Sequence, residues 1–512
     1  MNLRCGVLFI MTGFLASCTL KKADNEKKWN EPVSPLYDQS LKPFYHGVAS
    51  GDPLPDAVII WTRITPDDSL RKVNVAWEIS DREDFSEIVK SDSLTTSHDQ
   101  DFTVKVDVTG LLPDHYYFYR FRSLGVTSIS GRTKTAPADK KDSLQLAIVS
   151  CSNWEFGYFN AYDRIAAKEV DVVLHLGDYI YEYGTGVYGD TTIGRITLPP
   201  HECVSLQDYR TRYSQYRLDK GLQNLGRRHP IITIWDDHEV ANNVYSEGAL
   251  NHQPEEGDFM QRKAAAKKAY YEWVPIRTGD KHYRSFSFGS LADIVMLDER
   301  LEGRTAPVDS ASSPLLNDPG RSMLGKEQLE WFENGLKNSK AVWRIIGNQV
   351  IFSDLNIDNL YQKGMPKNLD AWDGYPAEKE KIKKFILDNK IENIVFVSGD
   401  THASWGIEVP YKLQSEKKGN PLAIELGTTS VSSGNGDEGN PVDSVLITEE
   451  KLKQQNPHLK FINNRDHGYL LLTIYPEKVY AEWYYVKTLR KIDSNEFLGK
   501  SFELNSGKAS LK

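Results

Sequence analysis

Five apolar stretches of this chain each lead into residues that could hold a metal ion or move a proton. Leu146–Val149 runs into Ser150-Cys151-Ser152-Asn153, and Val172–Leu176 into Gly177-Asp178-Tyr179-Ile180-Tyr181. Ile231–Trp235 runs into Asp236-Asp237-His238-Glu239, Trp343–Ile346 into Gly347-Asn348-Gln349, and Ile394–Val397 into Gly399-Asp400-Thr401-His402. One Asp after a strand is an ordinary cap. Successive strand ends that all deliver Cys, Asp, His, Asn or Tyr point instead to a shared site with sulfur, oxygen and nitrogen donors. A carboxylate can bridge two ions about 3.5–4 Å apart, an arrangement suited to phosphoryl transfer. A thiolate with a phenolate favours a ferric ion on one side, and oxygen ligands favour a hard ion such as calcium on the other. Asp178, at the end of the central stretch, is the first candidate for the bridge.

Positioning such residues requires strands whose carboxyl ends gather on one edge, as in open α/β sheets. The runs are short and apolar without a polar alternation, which predicts strands buried on both faces. Between them, Phe159, Tyr162 and Ile165 have helical spacing, and Phe259–Trp273 and Leu324–Leu336 read as helices. Alternation of the two patterns predicts a layered α/β domain over residues 142–490, with Tyr469–Ile474 and Val479–Tyr485 as an antiparallel finish. Residues 44–136 read differently. Val58–Arg63, Val73–Glu78, Phe102–Val108 and Leu112–Phe121 predict an all-β sandwich of the fibronectin III or immunoglobulin type. Residues 491–512 read as a polar tail.

At 512 residues, more than one domain is expected. A net charge of -9 excludes a broad nucleic-acid-binding face, but a metal site can supply local positive charge for a phosphorylated substrate. Arg4 and the apolar run Val7–Leu15 read as a signal peptide over residues 1–17, too short to remain as a membrane span. The run ends in Leu15-Ala16-Ser17-Cys18, which resembles the bacterial lipoprotein box and makes Cys18 the lipid-attachment residue. A tether over 18–43 follows. The resemblance implies a chain in the bacterial cell envelope, lipid-anchored and extracytoplasmic. Cys151 and Cys203 are the cysteines left after Cys5 and Cys18 are accounted for, so no disulfide framework is expected.

Gly-Asp, then Asp-Asp-His-Glu, then Gly-Asp-x-His resembles the calcineurin-like metallophosphoesterase blocks. Cys151, Asp237 and Asp400 depart from the common forms of those blocks. The departures, together with Val48-Ala-Ser-Gly-Asp-Pro53 and Ile59-Ile-Trp-Thr-Arg63, resemble the alkaline phosphatase D (PhoD-like) family across nearly all of residues 44–490. The resemblance implies a four-layer fold, two β-sheets flanked by helices, behind an N-terminal β-sandwich. It further implies hydrolysis of phosphomonoesters or phosphodiesters by a metal-activated hydroxide at a site holding ferric iron and calcium. Cys151, Asp178, Tyr181 and His402 match the iron side. Asp178, Asp237 and Asp400 match the calcium side, and His238 the proton donor.

Each assignment competes with a plainer one. Cys151 could be an inert buried thiol and Tyr181 a core aromatic. Asn153 could serve a turn as readily as a substrate. Arg210 or Arg217 could clamp a phosphate, although their helix reads first as a solvated face. Asp298, Arg300 and Asn348 are candidates for support around the metals. A competing class is a binding lipoprotein that works through its β-sandwich and carries a degenerate metal site.

Overall fold

The computed structural model describes residues 31–67, 70–358, 360, 365–411 and 421–512. The leader and Cys18 lie outside the described residues. No described helix is long and apolar enough to cross a membrane.

Two large sheets form the centre. In the first, the strand order is Glu496–Asn505, Lys478–Val486, Gly468–Ile474, Leu144–Val149, Val172–His175, Pro230–Thr233, Val48–Leu54, Ala57–Arg63 and Thr103–Thr109. Leu144–Val149, Val172–His175, Pro230–Thr233 and Val48–Leu54 run parallel to one another. In the second sheet, Ala292–Met296, Trp343–Asn348, Ile394–Ser398 and Ala423–Gly427 are parallel.

Period-two side-chain direction explains why the short runs are apolar throughout. Leu146, Ile148, Val172, Leu174 and Ile232 face Ile294, Ile345, Val395 and Leu426 of the second sheet in one core. Their neighbours Ala147, Val149 and Val173 face the other way, onto residues of the helices Asn160–Ala166, Leu206–Tyr216, Lys220–Arg228 and Phe259–Trp273. The second sheet is backed by the helices Gly325–Asn338 and Pro376–Asp388. Helix, sheet, sheet, helix is the four-layer α/β arrangement that the resemblance implies.

The boundary regions differ from the sequence reading. The β-rich segment 44–136 shares a sheet with the α/β part: Ser50 pairs with Pro230 and Gly51 with Ile231. Gly51 allows this contact, because a Cβ there would lie 2.6 Å from Ile231 O and 2.1 Å from Pro275 O. The sandwich therefore consists of the far end of the large sheet packed on a five-stranded sheet, around Val58, Ile60, Val75, Trp77 and Tyr119. The described end of the tether is anchored, with Glu31 paired to Arg63 at 2.8 Å. The polar tail supplies the edge strand Glu496–Asn505. Its alternation is confined to the end of the strand, where Phe502 and Leu504 are buried beside the partly buried Glu503 and Asn505, whereas the apolar Leu498 is exposed.

Candidate metal centre

The strand ends meet through the backbone before they meet through side chains. Cys151 N donates to Gly177 O at 3.1 Å, and Val431 N to Ser150 O at 2.9 Å. Cys151, Asp178, Asp400 and His402 all have left-handed backbone, with φ of 60°, 53°, 62° and 56°. Each costs about 1–3 kcal/mol for a residue with a Cβ, and such strain collects at functional sites. Gly177, at φ 104°, lets two loops touch: a Cβ there would lie 2.4 Å from Asp236 N.

Three overlapping groups result, each with ligand atoms within 4.8 Å of one another: Cys151, Asp178 and His402; Asp178, Asp237 and His238; and Asp236, Asp237 and Asp400. Asp178 belongs to the first two and Asp237 to the last two. Tyr181 joins the first group, its hydroxyl donating to Asp178 Oδ2 at 2.9 Å and lying 3.1 Å from His402 Nε2. Ser433 Oγ donates to the same phenol at 2.7 Å. His402 Nδ1 lies 2.8 Å from Gly434 O, which fixes the proton on Nδ1 and leaves Nε2 as the ligating nitrogen.

The electrostatics call for cations. Burial pushes the Asp178 carboxyl well up, as it does the Cys151 thiol, with the Asp178 charge adding to the latter. Burial raises Asp236 to about 8 and Asp400 to about 7 against the opposing pull of Arg300. At Asp237 burial also pushes upward, but Arg300 and His238 outweigh it and bring the carboxyl to about 2. Burial holds His402 neutral, at about 4. Acids packed this closely away from water ionise together only with positive charge among them. Asp178 Oδ1, Asp236 Oδ2 and Asp237 Oδ1 are buried without a hydrogen bond. Unused acceptor oxygens beside a thiol, a phenol and an imidazole fit bound metal ions.

At the third group the protein supplies its own cation. Arg300, fully buried, bonds Asp236 through Nε, Asp370 at 2.6 Å and Asp400 at 2.9 Å, and lies 3.5 Å from Asp237. Asp298 supports that loop, accepting from the backbone N of Arg300 (3.0 Å) and Leu301 (2.8 Å) and from Trp235 Nε1 (2.9 Å).

Four sequence candidates do not reach the cluster. Arg210 forms a two-pronged pair with Glu272, at 2.7 Å on both oxygens, and is committed there. Arg217 lies over the Trp61 ring at 4.5 Å and donates to Tyr179 Oη. The helix carrying both is buried on nearly every side, so neither arginine is free for phosphate. Asn153 serves the turn, donating to Tyr188 O and accepting from Glu155 N. Asn348 is spent on Val350 O and Trp372.

The structure adds partners that strand-end reasoning missed. Glu239 accepts from the backbone N of Asp178 (3.0 Å), Tyr179 (2.5 Å) and Asp236 (2.7 Å), so it braces two ligand loops and is not a ligand itself. Glu182 Oε2 lies 2.7 Å from His238 Nδ1. Tyr188 Oη lies 3.2 Å from His402 Nδ1. Glu239 closes the Asp-Asp-His-Glu block and Glu182 directly follows Tyr181, a usable signal; Asp370 and Tyr188 sit in loops that carry none.

Fold and site together define a four-layer α/β scaffold with a shared, buried cluster of candidate metal-ligating side chains. The PhoD-like phosphatase family matches residues 146–483, and its N-terminal domain matches residues 32–137. The alkaline phosphatase D of Bacillus subtilis (strain 168) is 37% identical over 473 residues, covering 87% of this chain and 78% of that protein. A solved structure described as PhoD superposes with a TM-score of 0.83 at 33% identity, covering 92% of each chain. The chain belongs to the PhoD-like phosphatase family and is a phosphoric ester hydrolase, which sets aside the binding-lipoprotein alternative.

Proposed function

We propose that the chain hydrolyses phosphate monoesters, diesters or both in the cell envelope, using ferric iron held by Cys151, Asp178, Tyr181 and His402 and calcium held on the Asp178–Asp237 side. The observation that carries this reading is Asp178, common to two ligand groups and buried with one oxygen unbonded. Metal ions bound there supply Lewis acidity toward the phosphoryl oxygens and lower the pKa of an attacking water.

The chain's own residues handle orientation and the departing group. Glu182 accepts from His238 Nδ1, so Nε2 is the nitrogen left to carry a proton. The charges of Glu182, Asp237 and Asp178 overcome burial and keep His238 protonated well above its ordinary range. When the ester P–O bond breaks, the departing alkoxide takes the His238 proton; the attacking water's oxygen stays on phosphorus as hydroxyl, its other proton passes to solvent, and solvent reprotonates His238. Arg300 holds Asp236 and Asp400 in register with Asp237. The sequence Leu15–Cys18 supports a lipid-anchored, extracytoplasmic location.

The test is hydrolysis of aryl phosphate mono- and diesters by the purified chain before and after chelation. The expected result is turnover that chelation abolishes and that iron with calcium restores. Turnover unchanged by thorough metal removal contradicts the mechanism, and a Cys18→Ala variant that stays membrane-bound contradicts the anchor.

A further inference from the structure

The chain that leaves the strand Ala423–Gly427 returns over the ligand loops at Ser432, Ser433 and Gly434. Ser432 Oγ donates to Asn153 O at 2.8 Å, and the backbone N of Ser432 and of Ser433 donate to Cys151 O at 3.3 and 3.2 Å. Gly434 O lies 2.8 Å from His402 Nδ1. A Cβ at Gly434 would lie 2.8 Å from Phe156 Cζ, so the segment is seated tightly where it reaches His402.

Ser433 has one hydroxyl proton and two acceptors in reach, Tyr181 Oη at 2.7 Å and Cys151 O at 2.9 Å. Cys151 O is already served by the two backbone donors and does not need that proton. Tyr181 Oη does. Its other polar neighbours are Asp178 Oδ2 at 2.9 Å and His402 Nε2 at 3.1 Å, the atoms that would share a metal ion with it. A tyrosine ligates a metal as phenolate, its proton passing to solvent. Asp178 as carboxylate and His402 through Nε2 then have no proton to give. Ser433 is the donor that remains, and both Ser433 and Tyr181 are buried away from water that could replace it.

We propose that Ser433 is a positioning residue of the metal centre: its hydroxyl donates to the Tyr181 phenolate and keeps that oxygen a weaker donor to ferric iron. The inference rests on the reading of Cys151, Asp178, Tyr181 and His402 as the iron side. A hydrogen bond to an ionised acceptor is stronger than one between neutral groups, and partners of this kind tune the ligand they hold. Ser433 thereby leaves more of the ion's Lewis acidity for the phosphoryl oxygens.

The test uses the full chain loaded with ferric iron and calcium, with absorbance and resonance Raman spectra taken in the visible charge-transfer band of a ferric phenolate. Ser433→Ala removes the donor and Ser433→Thr keeps it. Ser432→Ala alters the same segment at a hydroxyl that bonds Asn153 O and not the phenol. The expected result is a parent band with enhanced tyrosine ring modes, moved to longer wavelength in Ser433→Ala and unmoved in Ser433→Thr and Ser432→Ala. In Ser433→Ala kcat should be about 10-fold lower. The phenolate C–O mode of the parent should also shift in D2O, because the Ser433 proton exchanges; this measurement holds even where Ser433→Ala does not fold or load. A band unmoved in Ser433→Ala, an equal move in Ser432→Ala, or a parent C–O mode indifferent to D2O overturns the proposal and leaves the ferric reading standing. An iron-loaded parent without tyrosine modes overturns ligation by Tyr181, and the proposal with it.

Discussion

Glu182 Oε2 lies 2.7 Å from His238 Nδ1, and the carboxylate is closed off from solvent. Glu182 Oε1 also accepts from Asn242 N at 2.7 Å, so the carboxylate is itself held in place. Glu182 sets the proton position and the orientation of the imidazole without itself touching the substrate.

Glu182→Gln therefore acts on the departure of the alcohol. Loss of such a supporting carboxylate costs about 10–100-fold, and the loss should be larger for alkyl esters, whose alkoxides need the proton, than for p-nitrophenyl esters. Without the carboxylate charge His238 loses its proton at lower pH, so the alkaline limb of kcat/KM should move toward neutrality. A uniform loss for both ester types with an unshifted limb would make Glu182 merely structural.

Gly177→Ala places a methyl against the Asp236 backbone at a φ that side chains rarely adopt. Something must move, and it is the loop holding Asp236 and Asp237. The variant should lose more than about 1 kcal/mol in denaturant unfolding and bind less metal at a given free concentration. Full metal loading at unchanged stability would show that the two loops are not in rigid contact.

Asp354 lies between Lys379 and Lys383, at 2.6 Å from each ammonium, and both lysines are nearly closed to water. Burial pushes its carboxyl up, but the two lysines outweigh it and hold the pKa well below the usual range. A depressed folded pKa gives stability that is present above the unfolded value of about 3.9 and lost as pH falls toward the folded value. Asp354→Asn should cost about 3–5 kcal/mol at pH 7 and flatten the fall of stability below pH 4. Urea unfolding at pH 7 and at pH 3 measures both.

Arg210→Ala separates a phosphate clamp from a scaffold pair. The variant should keep kcat/KM within about twofold while losing up to about 3 kcal/mol of stability, because the largely buried Glu272 is left with Lys268 alone, at 3.9 Å. A large rise in KM at unchanged stability would restore the clamp.

The sequence exposed the candidate ligands better than their supports, for a physical reason. A parallel strand buried on both faces leaves an unmistakable apolar run, and the polar residue that ends it stands out, as Asp178 and Asp400 do. Supports carry no such frame. Arg210 lies in a helix rich in Arg, Gln and Tyr that reads as solvated, with Arg217 at its C-terminal cap, yet Tyr209–Tyr216 are buried and Arg217 packs on Trp61. Asp370 is joined to Arg300 by a tertiary ion pair that no local pattern announces. The sharing of one large sheet by both halves of the chain was also hidden. It depends on the pairing of Gly51 with Ile231, far away in sequence, and such registers leave no local periodicity.

The account turns on Asp178 belonging to both metal groups. Metal content per folded chain, measured by elemental analysis for the parent, Asp178→Asn and Cys151→Ser, tests this most directly. The predicted result is that Asp178→Asn loses iron and calcium together, whereas Cys151→Ser loses iron and keeps calcium. An Asp178→Asn protein that folds and still carries both ions at the parent's stoichiometry would contradict the shared ligand and the centre built on it.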